Sequence, residues 1–263
     1  MKTLPHPPII PKYRPTAAFT LTETVIAIGV LAVLLTGFIA VFTPAAQGIR
    51  RSISSEQADR LTSTLEAELV TPRLNQSPAG NQNNPSTAIT GFAKAFDWIR
   101  KGNATSKGTG NAPTTVILVY QYRGNPSATR RTDGTMVPRV SLSNVIPGRT
   151  YILQTMARRA NDPLLEADLD AVEGSVFFVK PTQLVFSSGE LKPGTPGEIK
   201  NADGSDVTDV AQYTEAVIAF TAEFHSVPSK TIDYFNSSNF RRDPTGRFFT
   251  SKPVFTRNLA VRR

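Results

Sequence analysis

The chain has 263 residues, with 29 Lys and Arg against 21 Asp and Glu, a formal charge of +8, two histidines and no cysteine. Without cysteine there is no disulfide staple, although an exported compartment would permit one, and two histidines exclude a multi-histidine metal site. The length suffices to bury a core without covalent help.

In chain order, the first feature is the run Ala17 to Phe42, AAFTLTETVIAIGVLAVLLTGFIAVF, whose only ionisable residue is Glu23. As a helix, Phe19 to Phe42 measures roughly 36 Å at about 1.5 Å per residue, enough to cross a hydrocarbon core of about 30 Å once. Upstream, Lys2, Lys12 and Arg14 stand without an acid. That basic flank predicts a cytoplasmic N-terminus and an exported chain after Pro44. A charge near hydrocarbon costs roughly 2.5 to 3.5 kcal/mol even on lenient insertion scales, so Glu23 is a functional candidate in need of a partner. The alternative is an acid near the interface that snorkels to water.

The polar, basic leader ending in Ala17-Ala18, followed by Phe19-Thr20-Leu21-Thr22-Glu23 and an unbroken apolar helix, resembles the N-terminus of type IV prepilins and pseudopilins. The resemblance covers about residues 12 to 45. It implies a leader over 1–18, cleavage between Ala18 and Phe19 by a membrane-embedded prepilin peptidase, and N-methylation of Phe19. It also implies an inner-membrane assembly platform and other pilin or pseudopilin subunits as partners. The chain departs from the family in having Ala18 where glycine is preferred, and Thr22 and Thr24 beside the acid. A weaker resemblance, in the same start with a large cysteine-free domain and the ending Asn258-Leu259-Ala260-Val261-Arg262-Arg263, is to the Verru-Chthon cassette proteins. Cleavage would expose an amine at Phe19, and when helices of successive subunits stagger, the carboxylate of one can meet the amine of the next. In a low dielectric either charge alone costs far more than the pair, so Glu23 would set the register of assembly. An ordinary signal peptide cut near Thr43 to Ala46 and an uncleaved anchor remain as alternatives. The three readings give different mature N-termini: methyl-Phe19, a residue near Gln47, or Met1.

Beyond a transmembrane segment at 19–43, Ile49, Ile53, Leu61, Leu65 and Leu69 recur at multiples of four, predicting an amphipathic helix over 44–70 with one buried stripe. Pro72 disfavours helix at Thr71, so the helix should stop near Val70, and Pro44 is a candidate kink. Ser77 to Pro85 and Gly102 to Pro113 read as loops. Between them, Ile89, Phe92, Phe96 and Ile99 mark one face of a short helix over 88–101, with Trp98 as a packing or rim residue. From Thr114 the period becomes that of strands. Val116–Tyr122, Thr150–Met156, Ser175–Lys180, Gln183–Ser187 and Ala216–Phe224 are β-rich, and in the last Ala216, Ile218, Phe220, Ala222 and Phe224 share a core face. The expected fold of residues 71–263 is therefore α+β and pilin-like, an antiparallel sheet packed on the amphipathic half of the long N-terminal helix.

Three further clusters carry chemistry-bearing side chains. Asp203, Asp206 and Asp209, with Asn201 and Gly204, form an oxygen-rich loop that could take Ca2+, although the spacing fails the EF-hand template. Arg241, Arg242, Arg247, Arg257, Arg262 and Arg263, interleaved with Phe248, Phe249 and Phe255, form a basic patch that could hold nucleic acid, anionic lipid or polysaccharide, or be a C-terminal strand with a solvated edge. Glu166, Asp168, Asp170 and Glu173 read as a solvated helix or turn. Gly102 to Gly110 lacks the GK-Ser/Thr of a phosphate loop. His6 falls in the leader and His225 stands at a strand end, so no His-based triad can be assembled. The expectation is a non-enzymatic subunit, minor or accessory, of a pilus-like or secretion pseudopilus-like filament, held in the inner membrane before assembly and then periplasmic or on the cell surface. A membrane-anchored or filament-borne adhesin or DNA-binding module is the rival.

Overall fold

Helix α1, Leu21–Val70, runs through Pro44 without interruption. The computed structural model describes residues 20–73, 90–102, 116–141, 143, 146–236 and 252–263. The chain divides into two compact units, residues 1–50 and 51–263. In the first, the apolar side chains from Leu21 to Phe42 are all exposed, an arrangement that water does not tolerate over such a length. The helix is long and apolar enough to cross a membrane.

In the second unit α1 buries one stripe, Ala58, Leu61, Leu65 and Leu69. The stripe is shorter than the four-residue spacing predicts, because Ile49 and Ile53 remain exposed. Burial along the helix thus begins at Ala58. Helix α2, Gly91–Lys101, is capped by Thr90, whose hydroxyl accepts from the Ala93 amide, and buries Phe92, Phe96, Trp98 and Ile99. The two segments expected to be loops lie outside the described residues apart from Gly102, as does Ile89.

Both helices pack on an antiparallel sheet of β1 (Ile117–Gly124), β2 (Ile152–Arg159), β3 (Val172–Ser187), β4 (Glu190–Pro193), β5 (Val217–Ser226) and β6 (Phe255–Arg262). The order is β2-β1-β3-β5-β6, with β4 paired to the end of β3. Ile218, Phe220, Ala222 and Phe224 of β5 point into the core with α1 and α2, as the alternation predicts. The opposite face is covered too. Leu165 and Leu169 of α3 (Leu165–Asp170) and Phe235 of α4 (Ile232–Asn236) pack there with Leu118, Tyr120, Val176 and Phe178. These short helices have too few residues to show a period, so the sequence suggested one buried face where there are two.

The two runs Ser175–Lys180 and Gln183–Ser187 are a single strand, β3, which passes through Pro181. Its pairing with β1 ends at Val179 and its pairing with β4 starts at Leu184. The Gln183 carbonyl accepts from Gly194 beside β4, so by alternation the Pro181 nitrogen faces the same side, between the end of the β1 pairing and the start of the β4 pairing, where the ladder calls for no N–H. Near the other end of β3, Gly174 has φ +83° where the register against β1 shifts, a bulge position suited to glycine.

Two clusters of buried charge fix the layers. At the C-terminus of α1, Lys94 of α2 donates from Nζ to the carbonyls of Glu68 and Thr71 and to Glu68 Oε1, while Arg73 makes a two-pronged contact with the same carboxylate at 2.7 and 2.9 Å. Carbonyls of a last helical turn have no intrahelical donor, and Lys94 supplies one from another element. The approach is close enough that a Cβ on Gly91 would overlap the Val70 carbonyl. Trp98 lies between the Lys94 ammonium, 4.7 Å from its ring centroid, and the Arg159 guanidinium at 5.3 Å. It is fully buried and is a packing residue rather than a rim one.

On the other face, the fully buried Arg158 donates to Asp168 (2.7 Å), Asp133 (2.8 Å) and Asp162 (2.9 Å). Asp168 also accepts from Tyr120 at 2.8 Å and from Arg131. Burial pushes the Tyr120 hydroxyl well above its ordinary pKa, reinforced by the Asp168 charge. The acidic cluster expected to be solvated is thus divided. Glu166 and Asp170 face water, but Asp168 points inward between two arginines. Replacing Arg158 with Met strands three carboxylates in or near the core, and urea unfolding is expected to show a loss of about 3 to 5 kcal/mol.

Burial lowers the Lys94 ammonium to a pKa of about 8, against the opposing pull of Glu68. Below pH 8 both folded and unfolded chains carry that proton; between about 8 and 10.4 the unfolded chain keeps it and the folded chain releases it. Stability from this group therefore rises with pH across that window, by no more than about 3 kcal/mol. The expected result is that wild type gains stability relative to a Lys94→Met variant as pH is raised from 8 to 10, measured by denaturant midpoints.

Candidate assembly site

The first turn of α1 is built by four residues, Thr20-Leu21-Thr22-Glu23. The Thr20 hydroxyl accepts from the Glu23 amide at 3.2 Å, and Glu23 Oε2 accepts from the Thr20 amide and hydroxyl, both at 3.0 Å. This is a reciprocal capping box, in which a Thr before the helix and a Glu three residues later satisfy each other's backbone donors. The carboxylate at the start of the apolar stretch has therefore found a partner within its own chain. The pattern Thr-x-x-Glu ahead of an apolar run was present in the sequence and carries this reading directly. The second carboxylate oxygen, Oε1, accepts no hydrogen bond among the described residues.

Other polar groups along the apolar stretch turn back on the helix. Thr24 donates to the Thr20 carbonyl, Thr36 to Ala32 at 2.8 Å and Thr43 to Ile39 at 3.0 Å. Such back-bonding engages the hydroxyls of Thr24, Thr36 and Thr43 without water, as apolar surroundings favour. Glu23 is the one ionisable side chain from Leu21 to Phe42, and its polar capacity is only partly used. Ala18 and Phe19, the expected cleavage and methylation positions, lie outside the described residues.

The remaining candidates have other placements. Asp203 accepts from the Ser205 amide (2.8 Å) and hydroxyl (2.6 Å), Asp206 pairs with Lys200 at 3.3 Å, and Asp209 accepts from Ala211 at the start of the short 3-10 turn Val210–Gln212. Each acid is engaged separately, and no group of three His, Asp or Glu side chains gathers around a metal-sized space among the described residues. Of the basic patch, Arg241, Arg242 and Arg247 lie outside the described residues. Arg257 reaches Asp59 of α1 at 2.7 Å. Arg263 donates to the Tyr213 and Val210 carbonyls and stacks over Phe92, 5.0 Å from its centroid. Arg262 is exposed on edge strand β6. Two of the three described arginines thus tie the C-terminal strand to the domain. His225 is buried and stacks on Phe178 at 5.6 Å.

Comparison with family models, with curated proteins and with solved structures finds no match to this chain.

Proposed function

We propose that the chain is a structural, non-enzymatic subunit, minor or accessory, of a type IV pilus-like or type II secretion pseudopilus-like filament, with a pilin-like exported domain. One observation carries the reading: a single carboxylate, held in the first turn of an exposed apolar helix with one oxygen uncommitted, on a helix that continues as the buried spine of a folded α+β unit. In the proposed sequence of events, a prepilin peptidase cuts between Ala18 and Phe19 and methylates the new amine. The helix stays in the inner membrane until the assembly platform recruits it. Glu23 Oε1 then accepts from the Phe19 amine of a neighbouring subunit. Two charges that would each be costly alone in lipid are neutralised at one axial offset, which fixes the register.

The capping box provides a sharp test, because it separates the shape of Glu23 from its charge. A Glu23→Gln variant keeps an acceptor for Thr20 and so retains the helix start, but loses the charge. If Glu23 only caps, this variant assembles like wild type and Glu23→Leu is impaired. On the proposed reading, both variants are cut and methylated normally and both fail to enter filaments, scored by shearing and immunoblotting. Mass spectrometry of the mature N-terminus is expected to give methyl-Phe19; Met1 or a start near Gln47 would overturn the processing step.

A further inference from the structure

Neither buried charge cluster is balanced when taken alone. At the end of α1, Lys94 and Arg73 bring two positive charges to the single carboxylate of Glu68. On the opposite face, Arg158 and Arg131 bring two positive charges to the three carboxylates of Asp133, Asp162 and Asp168. The first set has one positive charge too many and the second one negative charge too many, so only the two together are neutral. Arg159, on the other side of Trp98 from Lys94, has its own acid in Asp97.

The two sets meet at one residue. Arg73 turns Nε and Nη2 to Glu68 and donates its remaining nitrogen, Nη1, to the Asp133 carbonyl at 2.7 Å. The carboxylate of the same Asp133 accepts from Arg158 Nη2 at 2.8 Å. Asp133 therefore faces one cluster with its backbone and the other with its side chain. Its turn holds it in place between them. Asp133 Oδ1 accepts from the Thr135 amide (3.0 Å) and hydroxyl (2.6 Å), the Arg131 amide donates to the Thr135 carbonyl at 2.9 Å, and the Gly134 amide to the Arg131 carbonyl at 2.8 Å. Gly134 has φ +81°, which a residue with a side chain adopts only under strain. Thr135 Oγ1 also accepts from Arg131 Nε at 3.0 Å and Arg158 Nη2 at 3.2 Å, which fastens the turn to the second cluster.

Glu68, Lys94, Asp133, Thr135, Arg158 and Asp168 are all buried. When a surface ion pair opens, water takes the place of each partner; a buried group that loses its partner has no such substitute and bears the full cost of being unpaired. Movement at one cluster thus strands groups in the other. We infer that the two clusters form one conformational device, in which the Arg131–Thr135 turn couples the last turn of α1 to α3 on the opposite face of the sheet, so that loosening either end loosens the other. The route passes by the edge strand β2, which carries Arg158. The coupling is reciprocal, as linkage requires. In the filament reading α1 is the element that neighbouring subunits grip, and the device carries that grip to the far face of the sheet. The coupling itself belongs to the folded unit and stands or falls without that reading.

Amide hydrogen exchange on the full-length protein in detergent at pH 7 tests this. Lys94→Gln is expected to speed exchange about tenfold at the hydrogen-bonded amides of Asp168 and Ala171, relative to Val119 and Val179 in the middle of the sheet, which report global unfolding. Asp168→Asn is expected to do the same in α2. Arg73→Lys keeps a cation for Glu68 but lacks the fork that reaches Glu68 and Asp133 together, so in that background the effect of Lys94→Gln on α3 should fall below about twofold. Lys180→Gln removes an ion pair with Glu223 that lies outside both clusters and should move neither helix. If a charge variant does not fold, Thr135→Val replaces it: the Thr135 hydroxyl bonds to no residue of α1 or α2, yet its loss should speed exchange in α2 by about tenfold. Faster exchange confined to the altered cluster, an undiminished response of α3 with Arg73→Lys, or a response no larger than that of Lys180→Gln would each overturn the inference.

Discussion

The folded unit depends on how the last turn of α1 is held. A helix ends with carbonyls that lack partners, and here that end is packed against α2, where water is scarce. Lys94 resolves this by bringing three donors on one ammonium to the Glu68 and Thr71 carbonyls and the Glu68 carboxylate. Arg73 takes the same carboxylate from the other side. The close contact at Gly91, the burial of Trp98 and the seating of Leu61, Leu65 and Leu69 on the sheet all follow from that anchorage. An apolar substitute could fill the volume of Lys94 but could not satisfy those oxygens, so the burial cost of its charge is offset locally.

The second buried cluster works by different means. Arg158 of β2 uses a rigid planar fork to reach Asp162 just after its own strand, Asp133 in the Arg131–Thr135 turn and Asp168 of α3. Lysine's rotating ammonium suits converging carbonyls; arginine's fixed geometry suits carboxylates in different directions. Together the clusters bind one layer to each face of the sheet, in a chain without a disulfide.

Much of this fold was legible in the sequence, for definite reasons. Strand alternation in β5 and the four-residue spacing of Leu61, Leu65 and Leu69 report burial on one side, and the end of α1 follows from Pro72. What escaped was long-range or too short to have a period. Pro181 reads as a break because the sequence does not show that its nitrogen, which carries no N–H, faces the gap between the β1 and β4 pairings. Asp168 reads as solvent-facing among acids until Arg131 and Arg158 are brought to it from other elements, although Leu165, Asp168 and Leu169 lie on one helical face. Ile49 and Ile53 continue an apolar spacing beyond the point where anything covers them. The Thr20–Glu23 cap was fully local and could have been read from four residues.

On the proposed reading, the capping box has a consequence for the subunit before it meets any neighbour. A bare carboxylate in a lipid-facing helix would tend to take up a proton or drag in water, and either response would have to be undone when a partner arrives. With Oε2 already occupied by the Thr20 amide and hydroxyl, the idle subunit solvates its own acid and holds its first turn in a fixed shape. On the proposed reading, docking then orders little that is not already ordered, and an inner-membrane pool of waiting subunits is stored in a form ready for use.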